Sequence, residues 1–143
     1  MITMTVGPFT ELDAASAYAV WKLRQDVFVV EQQCAYPDLD GRDDEPGTRH
    51  VLLRDDGELL GYARVLDDGS TWRIGRVVVA AKARGRGLAD ELMLAAVQVA
   101  TGRDVLLDAQ SPLAGWYETF GFVADGPEFL EDGIPHTPMR LRR

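Results

Sequence analysis

Between Asp13 and Val30 apolar residues return at helical spacing. Val20, Leu23, Val27 and Val30 stand three, four and three apart, which predicts a helix with this stripe buried. Trp21, Arg24, Phe28 and Glu31 repeat one position along, so Arg24 and Glu31 are expected on a neighbouring face, at the rim of the core. Val27–Val30 is a β-branched and aromatic run, which leaves the helix end open. Residues 2–9 read as a short first strand. His50–Arg54, Glu58–Leu66 and a stretch ending at Val79 read as three more, joined by Asp55-Asp56-Gly57 and Asp67-Asp68-Gly69, both with hairpin-turn chemistry. Leu88, Leu92, Ala95, Ala96 and Val99 share one face of a helix over 87–101, which Gly102 is placed to end. Asp104–Asp108 is a short buried strand. Pro112 suits the first turn of a short helix running to about Phe120. Gly121–Val123 starts another strand, and Thr137–Leu141 can close the sheet.

The order is β-α-loop-β-β-β-α-β-α-β-β. Three antiparallel strands lead into a β-α-β crossover, which is parallel and right-handed. The fold class is therefore α/β, a mixed sheet with helices on both faces. At 143 residues without an internal repeat, residues 1–143 are expected to form a single domain.

Composition narrows the function classes. Apolar residues make up 46% of the chain, as in globular proteins. The net charge of −8 argues against nucleic acid as a partner and suits cationic substrates such as amines. Cys34 is the only cysteine and there are two histidines, so neither an intrachain disulfide nor a Cys/His metal cluster is expected. The apolar runs are too short to span a membrane, and Met1–Val6 lacks the features of a secretory signal. A cytoplasmic location is the expectation. Between Ala35 and Arg49, Asp38, Asp40, Asp43, Asp44 and Glu45 crowd a loop with Pro and Gly breakers. It is either a solvated loop or an acidic lip over a substrate cleft.

The chemistry concentrates at Arg84-Gly85-Arg86-Gly87-Leu88-Ala89. A strand of Val77, Val78 and Val79 enters this turn and a helix leaves it. Glycines let a ligand approach the backbone, and the free N–H groups of a helix start point at anions. Arg84, Arg86 and Lys82 add positive charge. A Walker A loop would need Gly-Lys-Ser/Thr, which is absent. A dinucleotide fingerprint would need a third glycine where Asp90 stands.

In register, Arg84–Ala89 resembles the pyrophosphate loop of the GNAT acyltransferases, Arg/Gln-x-x-Gly-x-Gly/Ala. Trp116-Tyr117-Glu118-Thr119-Phe120-Gly121-Phe122 is similar to that family's aromatic-Tyr-x-x-x-Gly-Phe segment, and the spacing from Arg84 to Tyr117 also agrees. Leu23–Gln32 with Tyr36–Asp40, and Glu131-Asp132-Gly133-Ile134-Pro135-His136, resemble the ElaA-type subgroup. Ala89 departs from the second glycine found in many relatives.

The resemblance implies acyl transfer, usually of acetyl from acetyl-CoA, directly to the amine of a small molecule or peptide. Coenzyme A is the co-substrate, and no metal is involved. Backbone N–H groups from Gly85 to Ala89 would hold the pyrophosphate, with Arg84 and Arg86 adding charge. A bulge would splay the Val77–Val79 strand from the next. The backbone of Val77 and Val79 would pair with the pantetheine arm, and the Val79 N–H would act as oxyanion donor. Tyr117 would protonate the leaving thiolate. Glu31, His50 and His136 are the available bases, directly or through water. Glu31 could equally form a helix-end salt bridge with Arg24. Other readings are an acyl-CoA-binding sensor or partner subunit without activity, and an acyl-homoserine-lactone-synthase-like acyltransferase. The protomer could act as a monomer or a homodimer.

Overall fold

The computed structural model describes all 143 residues. Eight strands form one mixed sheet. In chain order they are β1 (Ile2–Gly7), β2 (Arg49–Asp55), β3 (Glu58–Asp67), β4 (Trp72–Val79), β5 (Val105–Gln110), β6 (Val123–Ala124), β7 (Phe129–Glu131) and β8 (Ile134–Leu141). They lie in the order β1-β2-β3-β4-β5-β8-β6, with β7 also paired to β8. Every pairing is antiparallel except β4–β5. The helices are α1 (Ala14–Arg24), α2 (Leu88–Val99) and α3 (Ala114–Glu118).

Strand alternation divides the core in two. Val51, Leu53, Ala63 and Val65 face α2, which contributes Leu88, Leu92, Met93 and Ala96. Leu52, Tyr62 and Val78 face α1, which contributes Val20 and Leu23, together with Val27 just beyond it. Asp13 starts α1 by accepting the Ser16 amide at 2.7 Å, a helix cap of the usual kind.

Four elements depart from the expectations. The first helix does not run as one α-helix to Val30. After Arg24 it widens into a π-helical turn, Gln25–Glu31. The wider turn shifts the side-chain phase, so Val30 rotates out of the buried stripe and is 61% exposed. Arg24 is not at the rim but fully buried, because the acidic loop folds over it. The last strand begins at Ile134 rather than Thr137, and β7 pairs with it. At the other end of the chain the first strand stops at Gly7, and Phe9–Glu11 forms a 3-10 turn instead.

The acidic loop forms a lip over a cleft, and ion pairs hold it down. Arg24 Nε lies 2.9 Å from Asp38 Oδ2 and its Nη1 2.6 Å from Asp43 Oδ1. Arg64 reaches Asp40 twice at 2.8 Å and Asp43 at 3.2 Å. Three arginines, Arg24, Arg64 and Arg76, thus face three aspartates, which makes burial of the charges tolerable. Burial alone would raise the Asp40 carboxyl. Hydrogen bonding and charge from Arg64, with smaller help from Arg42 and Arg76, outweigh it and hold that carboxyl well below its ordinary value.

Candidate functional site

β4 and β5 meet only at Trp72–Val105 and Arg73–Leu106 and then splay apart. The reason lies in β4. Before Gly75 the even-numbered residues turn their amides toward β5, as the Trp72 N–H shows by donating to Asp104 O at 2.9 Å. Arg64 pairs with Gly75 but Tyr62 pairs with Val78, so β4 carries one residue more than β3 between these points. Arg76 takes up the extra length, with a left-handed φ of 51°. Such a conformation in a side-chain-bearing residue costs about 1–3 kcal/mol and persists only where its surroundings enforce it. Beyond the bulge the phase is reversed. Val78 pairs with Tyr62, and Ala80 N–H donates to Leu60 O at 2.8 Å. The backbone groups of Val79, and of Val77 two residues back, therefore face away from β3 into the opening.

The opposite wall follows from proline. Asp108 lies across from Pro138, which has no N–H to give, and the Pro138 carbonyl is taken by Asp125 N–H at 2.8 Å on the far side. Asp108 therefore also turns its backbone into the opening. Two unpaired backbone edges face one another across a cleft of about 770 Å³. The π-helical turn, the acidic loop and the β7–β8 hairpin wall it, and it extends to Arg84 at the start of the glycine turn.

At that turn Gly85 and Gly87 have φ of 82° and 75°, and no atom lies within 4 Å of where a Cβ would stand on either. Gly87 caps α2 without any side-chain hydrogen bond, so the first amides of the helix are open to an anion. This is a geometry that fits a pyrophosphate. Both arginines are ion-paired. Arg84 forks onto Glu31 at 2.8 and 3.0 Å and its Nε reaches Val79 O at 3.4 Å, while Arg86 meets Asp55 at 3.2 Å.

Glu31, His136 and Tyr117 line the same cleft. Glu31 pairs with Arg84, not with Arg24. Within His136, Nδ1 lies 2.8 Å from Ile134 O, and the ring stacks on Phe129 at 5.7 Å. A carbonyl can only accept, so Nδ1–H is the donor, and in the neutral ring Nε2 is the acceptor. Tyr117 packs edge-on against Trp116 at 4.8 Å and Phe122 at 6.4 Å, and burial raises its phenol to about 12. His50 does not join them. It is buried in the core, with Nδ1 2.6 Å from the Tyr62 hydroxyl and Nε2 2.8 Å from Asp43 O. Both nitrogens are engaged there, which takes it out of the set of bases facing the cleft. Val78 differs from Val77 and Val79, since its backbone serves β3 and its side chain the α1 core. No group of three or more His, Cys, Asp or Glu side chains is arranged to hold a metal ion, and no helix is long and apolar enough to cross a membrane.

Residues 14–143 match the model of the acetyltransferase (GNAT) domain. The chain belongs to the GNAT acetyltransferase family. Among its relatives, a UPF0039 protein of Mycobacterium bovis is 45% identical over 134 residues, covering 90% of this chain and 86% of the relative. The crystal structure of Escherichia coli ElaA superposes with a TM-score of 0.93 at 38% identity, over 99% of this chain and 100% of that one. An acyl-CoA N-acyltransferase from Pseudomonas aeruginosa gives 0.94 at 40% identity, over 99% of both chains. A GNAT enzyme of the ElaA-like group thus has its glycine turn and splayed strands in this chain at Arg84–Ala89 and β4–β5. The sequence did not reveal the buried arginine–aspartate network or the Glu31–Arg84 pair, whose partners are far apart in the chain. The bulge had one visible signal, Gly75 inside a strand.

Proposed function

We propose that the protein transfers an acyl group, most simply acetyl, from acyl-CoA to a primary amine of a small molecule or peptide. The observation that carries this is the pair of facing backbone edges leading to an uncapped helix start. Together they offer hydrogen bonds to an extended amide-bearing arm and to a phosphate at its end. Acyl-CoA would supply a thioester carbonyl and a thiol leaving group. The amides of Gly85–Ala89 would hold the pyrophosphate, with Arg84 and Arg86 adding charge. Val77 and Val79 would pair with the arm, and the Val79 N–H would stabilise the developing oxyanion.

The attacking amine must lose a proton. His136 is the better placed base, because its Nε2 lone pair is free while Glu31 is held by Arg84. The Tyr117 phenol stays protonated at neutral pH and would give its proton to the leaving sulfur. The buried surroundings that raise it also keep it from ionising first. Localisation in the cytoplasm is part of the same reading, since acyl-CoA is found there.

Thiol release from acetyl-CoA in the presence of a panel of amines tests the proposal. Release that depends on the amine is expected. Tight CoA binding with no amine-dependent release would instead mark a sensor.

A further inference from the structure

We propose that Arg76 is a positioning residue for acyl transfer: clamped by Asp38, Asp40 and Tyr36 of the acidic loop, it holds the left-handed bulge that turns the Val77 and Val79 amides into the cleft. The inference rests on the acyl-transfer reading for its catalytic part, and on geometry alone for its structural part.

The geometry is specific. Arg76 and Val77 are the two residues of β4 without a partner in the β3 ladder, and of the two only Arg76 is left-handed, with a φ of 51° that suits glycine better than arginine. A side chain at such a position makes the backbone harder to hold unless it gains contacts elsewhere. Here it gains several, all from a short segment of the acidic loop. Nη2 donates to Asp38 O at 3.1 Å and to Asp40 Oδ2 at 3.4 Å. Nε lies 2.9 Å from Asp38 Oδ1, an ion-pair contact, although its N–H is not aimed at the oxygen. The guanidinium also stands over the Tyr36 ring, 5.4 Å from its centroid, and the Tyr36 hydroxyl donates to Asp38. Asp38 is itself fixed by the fully buried Arg24.

The loop therefore grips β4 at its strained residue. Losing that grip lets the bulge relax. If the extra residue slips, the phase of β4 beyond it reverts, and the amides of Val77 and Val79 turn toward β3. The oxyanion donor is then lost without any change at the glycine turn or at Tyr117. Because misplacement of about 1 Å is worth about 10²-fold in rate, small relaxation is enough.

Arg76→Ala is the informative variant, since it keeps the Cβ that strains this φ and removes the clamp, whereas Arg76→Gly removes clamp and strain together. Turnover of Arg76→Ala with acetyl-CoA and an accepted amine should fall about 10²-fold, and that of Arg76→Gly by less. Millimolar guanidinium should restore part of the Arg76→Ala rate by refilling the site, whereas Arg76→Lys, which cannot fork, should remain slow. Tyr36→Leu should show a smaller loss in the same direction. Amide exchange at Val78 and Ala80, which bond to β3, should quicken in Arg76→Ala. Wild-type turnover in Arg76→Ala would overturn the proposal. So would a slow variant with unchanged exchange and no response to guanidinium, which would make Arg76 a substrate contact. Should wild type release no thiol with any amine, the acyl-transfer reading fails, and the exchange comparison still decides whether Arg76 holds the bulge.

Discussion

His136 lines the cleft, and with Nδ1–H given to Ile134 O the neutral ring has Nε2 left as its acceptor. His136→Gln should therefore lose about 10²–10⁴-fold in turnover, with CoA affinity kept. Glu31→Gln should lose far less, since its carboxylate is engaged with Arg84. The reverse outcome would move the base to Glu31. Tyr117→Phe separates packing from proton donation. Its ring contacts survive, so melting and CoA binding should match wild type while turnover falls about 10²–10⁴-fold. With the phenol raised to about 12, it should add no descending limb to the wild-type profile in the neutral range. Rates of Tyr117→Phe equal to wild type would leave the residue a packing group.

At the scale of elements, the glycine turn and α2 invite a different substitution. Gly87 combines φ of 75° with open space on the side an anion would approach. Gly87→Val strains the backbone and fills that space, so calorimetry should show CoA affinity falling by at least tenfold. Unchanged affinity would reduce the stretch to an ordinary turn. Much of this was readable in the chain. The Leu88–Val99 stripe, the two Asp-Asp-Gly turns and the Arg84–Ala89 motif all report on local spacing, which sequence carries directly. Val30 was misread because one π-helical turn resets the helical phase, and nothing in Val27–Val30 distinguishes that turn from fraying. β7 and the start of β8 were hidden by Gly133 and Pro135, which read as loop. Pro138 sits in a strand without loss, because Asp108 opposite asks no hydrogen bond of it. Arg24 looked like a rim residue because its aspartates come from a loop whose fold the sequence does not show.

For the whole molecule, His50 and Asp40 add to acid sensitivity in separate pH windows, the lower one shared with Asp13, Asp55, Asp67 and Asp104. Burial lowers the His50 imidazole below its ordinary value of 6.5, against the raising pull of Asp43. The unfolded chain then binds the proton more readily than the folded one, so stability rises with pH in this window. His50 should impose no penalty above about pH 6.5, and stability should decline as pH falls below it toward the depressed folded value. Asp40 runs the same way lower down. Its stabilising contribution is present above its ordinary value of 3.8 and is lost as acid protonates the carboxyl. Urea midpoints measured from pH 7.5 to 3 should fall in two steps. In His50→Asn the upper step should vanish and the lower one remain. Should the upper step persist, its origin lies in other groups. Activity is expected to survive excess chelator, and a loss restored by zinc or magnesium would require a different mechanism.

Between β4 and β5 the sheet is joined by two residue pairs, where β2 and β3 share seven. Mechanically the protein is two stiff leaves on a short seam, β1–β4 on one side and β5–β8 on the other. A guest lying along the open edges would serve as missing rungs, so stiffness becomes a property of the complex rather than of the chain. CoA at a hundred times its dissociation constant should add about 2.7 kcal/mol of stability by mass action. The seam predicts where that gain is distributed: amide exchange should slow along β5 and β8, far beyond the atoms in contact, and the two leaves, loosely coupled when free, should then open as one.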